Sequence, residues 1–272
     1  MSSRYSTLKP LGRPLSRLFS SEKLTSTIEF FEAGLAYLNG KGSGSQFINS
    51  GEIEAVASLL PTSEKITIFD VGANNGAWAL WLSEKLGNEK SHYFLFECAD
   101  YCYPQIVNRA NQLPNKKLFN VAITDQIGEV TLYCPTRGSG LASLHKRKDV
   151  GIMQETYVQT VVQATTVDAI AEAEGVEHID LLKLDIEGHE LAALFGAHKY
   201  LSEGRIQLIQ FEFGSANINS RTYFRDFFDL LDGYGYTISR ILPSGKLRHV
   251  DQYSEGLEYF RGATNYIAAL PA

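Results

Sequence analysis

The chain has 272 residues, enough to bury a sizeable core, and its 44% hydrophobic and 21% charged residues are typical of a globular protein. A net charge of −6 argues against a nucleic-acid partner, because phosphate binding needs clustered positive charge. No apolar run has the length of a membrane span and no signal peptide is visible, so we expect a cytoplasmic protein with no membrane partner. Cys98 and Cys102 have the spacing of half a metal site, but no second pair completes it, so no metal site is expected.

The first 60 residues are predicted to form a helical extension or lid. Apolar residues recur at helical spacing over Thr25–Asn39, and Gly40 ends that helix. A flexible Gly-Ser-Gly-Ser connector follows at 42–45, and a second helix is predicted over Glu52–Leu60. Residues 61–272 then form the main domain.

From Lys65 onward, short β-branched runs alternate with helical stretches, which indicates a parallel sheet covered by helices on both faces. Strands are predicted at Ile66–Val71, His92–Glu97, Lys117–Ile123, Ile179–Ile186, Ile206–Phe213, Tyr236–Leu242 and Asn265–Leu270, and helices at Ala77–Leu86, Tyr103–Gln112, Glu190–Leu201 and Tyr223–Leu231. The fold class predicted is therefore α/β, with a doubly wound, mostly parallel, seven-stranded sheet.

Residues 124–164 interrupt this alternation. Glu129–Cys134 and Tyr157–Gln163 have the pattern of extra strands, and they flank the polar loop Pro135–Gly151. Long loops at the rim of a sheet often cover a substrate, so we expect this insertion near the active site.

The segment 70–76 (DVGANNG) joins the first strand of the main domain to its helix. Ligands of such sheets bind beyond the carboxyl ends of the strands, and Gly72 and Gly76 allow backbone conformations that a Cβ would block. Glu97 ends the next strand, where its carboxylate can accept hydrogen bonds from ribose hydroxyls. The two features together predict an adenosine-containing ligand.

Charge and glycine spacing distinguish two such ligands. Dinucleotide sites carry G-x-G-x-x-G, whereas this turn has G-x-x-x-G. Asp70 would repel a pyrophosphate but suits the ammonium group of a methionine moiety, so S-adenosylmethionine is the expected cofactor. An NAD(P)-dependent oxidoreductase and a catalytically silent cofactor-binding protein remain alternatives.

The segment 182–190 (LKLDIEGHE) carries the candidate catalytic residues. Lys183 and Asp185 share one face of a strand, and the buried lysine needs an acidic partner such as Asp185, Glu212 or Glu97. A purely structural ion pair is the alternative. An alcohol must lose a proton to accept a methyl group, and the leading candidate for the base is Asp185, with His145 of the insertion as the second.

These segments resemble, in order, the FkbM family of methyltransferases. The resemblance rests on 70–76, 96–97, 120–122, 143–144, 166–168, 211–212 and above all the D-x-E-G-x-E element within 182–190, and it runs from about Lys65 to Leu270. It implies a class I, Rossmann-like fold and methyl transfer from S-adenosylmethionine to a hydroxyl of a sugar or of a polyketide- or peptide-derived secondary metabolite. Cys98 departs from the family, which usually has proline there.

The candidate cofactor-binding residues are Asp70, Gly72, Ala73, Asn74, Asn75, Gly76, Glu97, Cys98, Asn120 and Ala122, and the candidate catalytic residues are Asp185, His145 and Lys183. A magnesium site at Asp185 and Glu212 is conceivable, but nothing in the sequence demands one. The sequence leaves open whether the hydroxylated acceptor is free or carrier-bound, and whether the protein forms a homodimer.

Overall fold

The computed structural model describes residues 21–44, 46–136, 139–148 and 157–271. The chain forms two compact units that divide between Asn39 and Gly40. In the first, the helix α1 spans Glu22–Leu38; the first 20 residues of the expected extension lie outside the described residues. No helix in the described part of the chain is both long and apolar enough to cross a bilayer.

The elements of the second unit alternate as the sequence suggests. In chain order they are α2 (Phe47–Ser50), α3 (Glu52–Leu59), β1 (Thr67–Val71), α4 (Ala77–Leu86), β2 (His92–Phe96), α5 (Tyr103–Ala110), β3 (Asn115–Phe119), β4 (Ala122–Ile123), β5 (Gly128–Cys134), β6 (Val158–Thr165), α6 (Val167–Ala173), β7 (Ile179–Leu184), α7 (Glu190–Phe195), α8 (His198–Ser202), β8 (Ile206–Gly214), α9 (Asn217–Ser220), α10 (Phe224–Gly233), β9 (Thr237–Ile241), β10 (Leu247–His249) and β11 (Ala263–Ala269).

The main sheet has the order β10-β9-β11-β8-β7-β1-β2-β3, which makes eight strands within the described residues. The five strands from β8 to β3 are parallel, and β11 runs antiparallel between β8 and β9. The prediction of a doubly wound, mostly parallel α/β sheet is confirmed. The predicted number of seven strands is wrong, because the short segment β10 pairs antiparallel with β9 at the edge.

The segment before β1 is part of the core of the second unit. Ile53 and Val56 of α3 are buried in one apolar cluster with Trp78 and Leu82 of α4. Residues 40–60, which the sequence places in the extension, therefore belong to the second unit, and α3 packs in its core.

Two predicted elements are divided in the structure. The strand predicted over Lys117–Ile123 is split, because the Asn120 side chain donates a hydrogen bond (2.8 Å) to the Glu97 carbonyl where the chain leaves the main sheet. The next residues, β4, pair with β6 in a separate sheet of order β4-β6-β5. The helix predicted over Glu190–Leu201 is broken at Gly196, where a Cβ would lie 2.1 Å from the Thr124 carbonyl oxygen.

Candidate active site

A cavity of about 550 Å³ lies at the carboxyl ends of β1, β2, β7 and β8. This is where the ligands of open α/β sheets bind. Its walls include the turn after β1, the acidic ends of β7 and β8, and residues 139–144 of the insertion. Phe47 and Glu52, from the segment before β1, close one side.

The turn after β1 is fixed by the end of β2. The backbone N–H groups of Gly72 and Ala73 donate to the Phe96 carbonyl, both at 3.0 Å. The Glu97 carboxylate accepts from the Asn74 N–H at 2.9 Å and the Ala99 N–H at 2.7 Å. Burial raises the pKa of Glu97 to about 7, although these backbone donors oppose the shift.

Lys183 is buried beneath the cavity between two acidic side chains. Its ammonium lies 3.1 Å from Asp70 Oδ1 and 3.3 Å from Asp185 Oδ2, and it stacks over the Trp78 ring at 5.0 Å. Burial disfavours the charge, but Asp70, Asp185 and Glu52 outweigh it and raise the pKa of Lys183. Asp70 is fully buried, whereas 45% of the Asp185 side chain is exposed.

Glu52 extends this buried network to β8. Its carboxylate accepts hydrogen bonds from the Trp78 indole N–H at 3.3 Å, the Ser50 hydroxyl at 2.9 Å and the Gln210 side-chain amide. Burial raises the pKa of Glu52 to about 7, with the nearby Lys183 opposing the shift. Polar groups beneath the cavity are thus tied together across α3, α4 and β8.

The corner between β7 and α7 joins the sheet to the insertion. Glu187 has a left-handed backbone (φ 56°) and Gly188 a φ of 98°, and both conformations are stabilised by the Glu190 carboxylate, which accepts from the Ile186 and Gly188 N–H groups at 3.0 and 3.1 Å. The Ser143 hydroxyl donates to the Glu187 carbonyl at 2.8 Å, and Arg147 forms an ion pair with the Glu187 carboxylate.

The two histidines near the cavity form a hydrogen-bonded chain. His145 Nε2 lies 3.1 Å from His189 Nδ1, and His189 Nε2 lies 2.8 Å from the Thr124 hydroxyl. Burial, together with the charge of His145, lowers the pKa of His189 to about 4, and burial lowers the pKa of His145 as well. Both imidazoles are therefore neutral near pH 7.

Most of the candidate residues from the sequence converge on the cavity. Its lining includes Gly72, Ala73, Asn74, Asn75, Glu97, Cys98, Ala122, Lys183 and Asp185. Asp70, Gly76, Asn120 and His145 are not part of it among the described residues. The Asp70 carboxylate is fully buried and pairs with Lys183, although Asp70 was not among the partners that the sequence suggested for this lysine.

Several lining residues were not among the candidates. Glu52 gives no sequence signal, because only the packing of α3 brings it under the sheet. Glu212 lies within the apolar strand β8, and the sequence indicated it only as a possible partner of Lys183 or as a conceivable magnesium ligand. Arg147 and Glu187 are brought together by the insertion, whose path the sequence does not reveal.

The cavity is acidic. Among its described lining residues, the carboxylates of Glu52, Glu97, Asp185, Glu187 and Glu212 outnumber the cations Lys183 and Arg147, and both cations already pair with acids. The described residues contain no group of three or more His, Cys, Asp or Glu side chains arranged to hold a metal ion.

The fold is that of the class I S-adenosylmethionine-dependent methyltransferases. The profile of the methyltransferase FkbM domain matches residues 70–238, which is more than half of the chain. The chain belongs to the FkbM family, and the resemblance seen in the sequence is confirmed. Comparison with curated proteins finds no match.

A solved structure supports the fold. A crystal structure of methyltransferase FkbM from Methylobacillus flagellatus superposes with a TM-score of 0.52 at 15% identity, over 96% of this chain and 59% of that one. This chain thus spans somewhat more than half of that protein. A precorrin-6y C5,15-methyltransferase from Geobacter metallireducens (TM-score 0.41, 10% identity, 81% and 87% of the two chains) and an S-adenosylmethionine-dependent O-methyltransferase from Thermotoga maritima (0.41, 12%, 81% and 64%) are also similar.

Proposed function

We propose that this protein transfers a methyl group from S-adenosylmethionine to a hydroxyl of a small-molecule acceptor, such as a sugar or a polyketide- or peptide-derived secondary metabolite, free or bound to a carrier. The observation that carries the proposal is the acidic cavity at the strand ends of a chain that belongs to a methyltransferase family. Its three free cysteines, Cys98, Cys102 and Cys134, accord with a reducing cytoplasmic setting.

The charges of the cavity suit this cofactor better than a dinucleotide. Asp185 lines one side and Glu97 the other, and both cations of the lining are already paired. A pyrophosphate would find no unpaired cation among the described lining residues, whereas a sulfonium and an ammonium group would be attracted to the acidic side chains. Glu97 would hold the ribose, and the turn at 72–75 would lie against the rest of the cofactor.

The bound cofactor would supply an electrophilic methyl group. The protein must then align the acceptor oxygen with that methyl and exclude water. Residues 139–144 cover the cavity, and the Ser143 hydroxyl and Arg147 join this cover to the β7–α7 corner. Lys183 holds Asp185 at the cavity by an ion pair, and the acceptor proton requires a base among the acidic side chains at these strand ends.

Calorimetry with S-adenosylhomocysteine tests the cofactor site. In Glu97→Gln, the new amide N–H₂ would face a backbone N–H donor and the charge would be lost, so we expect affinity to fall about 10- to 100-fold. Glu89→Gln, an exposed glutamate outside the cavity, is the matched control and should bind like the parent. NADH should not compete.

Labelled methyl transfer distinguishes an enzyme from a silent binding protein. A panel of monosaccharides, polyketide alcohols and hydroxylated peptides is incubated with methyl-tritiated S-adenosylmethionine. Binding of S-adenosylhomocysteine without incorporation into any acceptor would favour the silent alternative, and equal affinity of the parent and Glu97→Gln would mean that the cofactor site is misplaced.

A further inference from the structure

Glu212 and Asp185 are adjacent at the carboxyl ends of two paired strands. In the parallel pair β7–β8, Lys183 is opposite Gln210 and Leu184 is opposite Phe211. The next residues along are Asp185 and Glu212. Because side chains alternate along a strand, both point to the face that carries Lys183 and Gln210, and neighbouring strands are about 4.8 Å apart. Both residues line the cavity.

The two carboxylates have different surroundings. Asp185 accepts a hydrogen bond from the Lys183 ammonium, which partly neutralises its charge. Among the described residues, no group donates a hydrogen bond to the Glu212 carboxylate. On the other side of β8, the strand β11 places Asn265 opposite Glu212, and Asn265 carries no charge.

Burial is the main cause that raises the pKa of Glu212 well above its ordinary value, and the carboxylates around it add to the shift. The charged groups around it are Asp185 directly after β7, Glu187 in the corner, Glu190 on α7 and Glu52 on α3. Two cations are nearby, but both are already paired. Lys183 is paired with Asp70 and Asp185, and Arg147 is paired with Glu187. A carboxylate whose pKa is raised is a stronger base.

We propose that Glu212 is the catalytic base of the methyl transfer, and that Asp185 positions the acceptor beside it. This inference rests on the proposed function. The Glu212 carboxylate accepts a hydrogen bond from the acceptor hydroxyl. As the oxygen forms its bond to the methyl carbon, the sulfur–carbon bond breaks with its electron pair remaining on sulfur, and the hydroxyl proton moves to Glu212. The products are the methyl ether and S-adenosylhomocysteine, and Glu212 then releases its proton to water.

The first measurement is independent of any acceptor. Carbon-13 NMR of protein labelled in its glutamate carboxyls should show one resonance, absent from Glu212→Gln, that titrates well above the ordinary 4.5. A midpoint near 4.5 for this resonance would overturn the proposal, even before an acceptor is known. S-adenosylhomocysteine should bind the parent and Glu212→Gln equally within about threefold; a larger loss would make Glu212 a cofactor ligand instead.

The second measurement uses the best acceptor of the labelled panel. We expect Glu212→Gln to lower kcat by about 10²- to 10⁴-fold. The kcat of the parent should rise with pH through the pKa of Glu212, and this acid limb should vanish in Glu212→Gln. In Asp185→Asn the limb should persist but move to lower pH, because one repelling charge beside Glu212 is gone. The exposed control Glu89→Gln should match the parent.

The remaining outcomes separate the two proposals. If the parent methylates an acceptor and Glu212→Gln does so equally well, the base is another residue and the function stands. If Asp185→Asn, and not Glu212→Gln, loses turnover and the acid limb, Asp185 is the base. Loss of parent turnover in EDTA, with recovery in Mg²⁺, would make Glu212 a metal ligand and overturn the proposal. If the parent binds no S-adenosylhomocysteine, the function itself fails.

Discussion

At the scale of single residues, the most consequential group is the Lys183 ammonium. Its charge is buried with that of Asp70 at 3.1 Å, and two buried charges are tolerable only while each has its partner. Trp78 adds a cation–π contact from above. Asp70 is fully buried and is not among the described lining residues, so the ion pair lies at the floor of the site.

Removal of one partner of this pair should therefore be costly. We expect Lys183→Met to lower the free energy of unfolding by about 3–5 kcal/mol, because Asp70 is left buried without its counter-charge. Urea denaturation measures this. The double variant Asp70→Asn with Lys183→Met should be less destabilised than Lys183→Met alone. Lys117→Met, which breaks an exposed ion pair with Glu174, should cost less than about 1 kcal/mol.

Gly72 is the second residue whose identity the structure explains. Its φ is +81°, and a Cβ would lie 1.9 Å from the Asp185 carbonyl oxygen. Gly72→Ala should thus force β1 and β7 apart at the cavity. Gly87 also has a positive φ (+58°) but nothing within 4 Å, so Gly87→Ala should cost only about 1–2 kcal/mol. If urea denaturation gives equal losses of unfolding free energy for the two variants, the close approach of residue 72 to the Asp185 carbonyl does not contribute to stability.

At the scale of elements, the β7–α7 corner depends on one side chain. Glu190 satisfies two backbone N–H groups with Oε1, while its buried Oε2 has no hydrogen-bond partner among the described residues. Burial raises the pKa of Glu190 to about 7. Between pH 4.5 and 7, Glu190 is therefore mostly protonated in the folded chain. In the unfolded chain, where its pKa is near 4.5, it is mostly ionised over the same range.

This shift fixes the sign of a pH effect on stability. Between pH 4.5 and 7 the folded state binds more protons at Glu190, so its contribution to stability is present at low pH and is lost as pH rises through 7. Glu190→Gln keeps an acceptor oxygen but does not titrate. We expect the loss of unfolding free energy between pH 5.5 and 8 to shrink by on the order of 2–3 kcal/mol in this variant. An unchanged difference would contradict the assignment.

The insertion is the second element with a testable attachment. Arg147 pairs with Glu187, and the Tyr157 hydroxyl donates to the Arg147 carbonyl. In Arg147→Met the ion pair is lost, so we expect chymotrypsin to cleave the insertion several times faster while the melting temperature changes little. Lys148→Met, an exposed neighbour, should leave the cleavage rate unchanged. Equal rates for all three proteins would show that Arg147 does not hold the insertion in place.

At the scale of the whole molecule, the boundary between the two units can be tested by deletion. The apolar core of the second unit begins at Ile53, and Glu52 binds Trp78 and Gln210 beneath the cavity. Deletion of residues 1–39 should leave a cooperatively folded protein by circular dichroism. Deletion of residues 1–60 should not, because it removes α3 from the core. Equal melting temperatures for both truncated chains would place the boundary at residue 60 instead.

The alternation of strands and helices was readable from the sequence because β1, β2, β7 and β8 are short apolar runs that end at or near a glycine or an acid. The same local pattern located Gly72–Asn75, Glu97, Lys183 and Asp185, all of which reach the cavity. The pattern could not reveal the eighth strand, since Leu247–His249 is short and exposed and pairs only at an edge. Nor could it show that residues 117–123 divide between two sheets.

The sequence by itself determined the fold class, the family and the strand ends where the site lies, because these depend on hydrophobic periodicity and on local turn chemistry. Only the tertiary structure decided which acids face the cavity. Asp70 and Glu212 both lie on strands, yet one is buried against Lys183 and the other lines the cavity without a hydrogen-bond partner among the described residues. That difference arises from contacts between residues more than a hundred positions apart, such as Asp70 with Lys183 and Glu52 with Gln210.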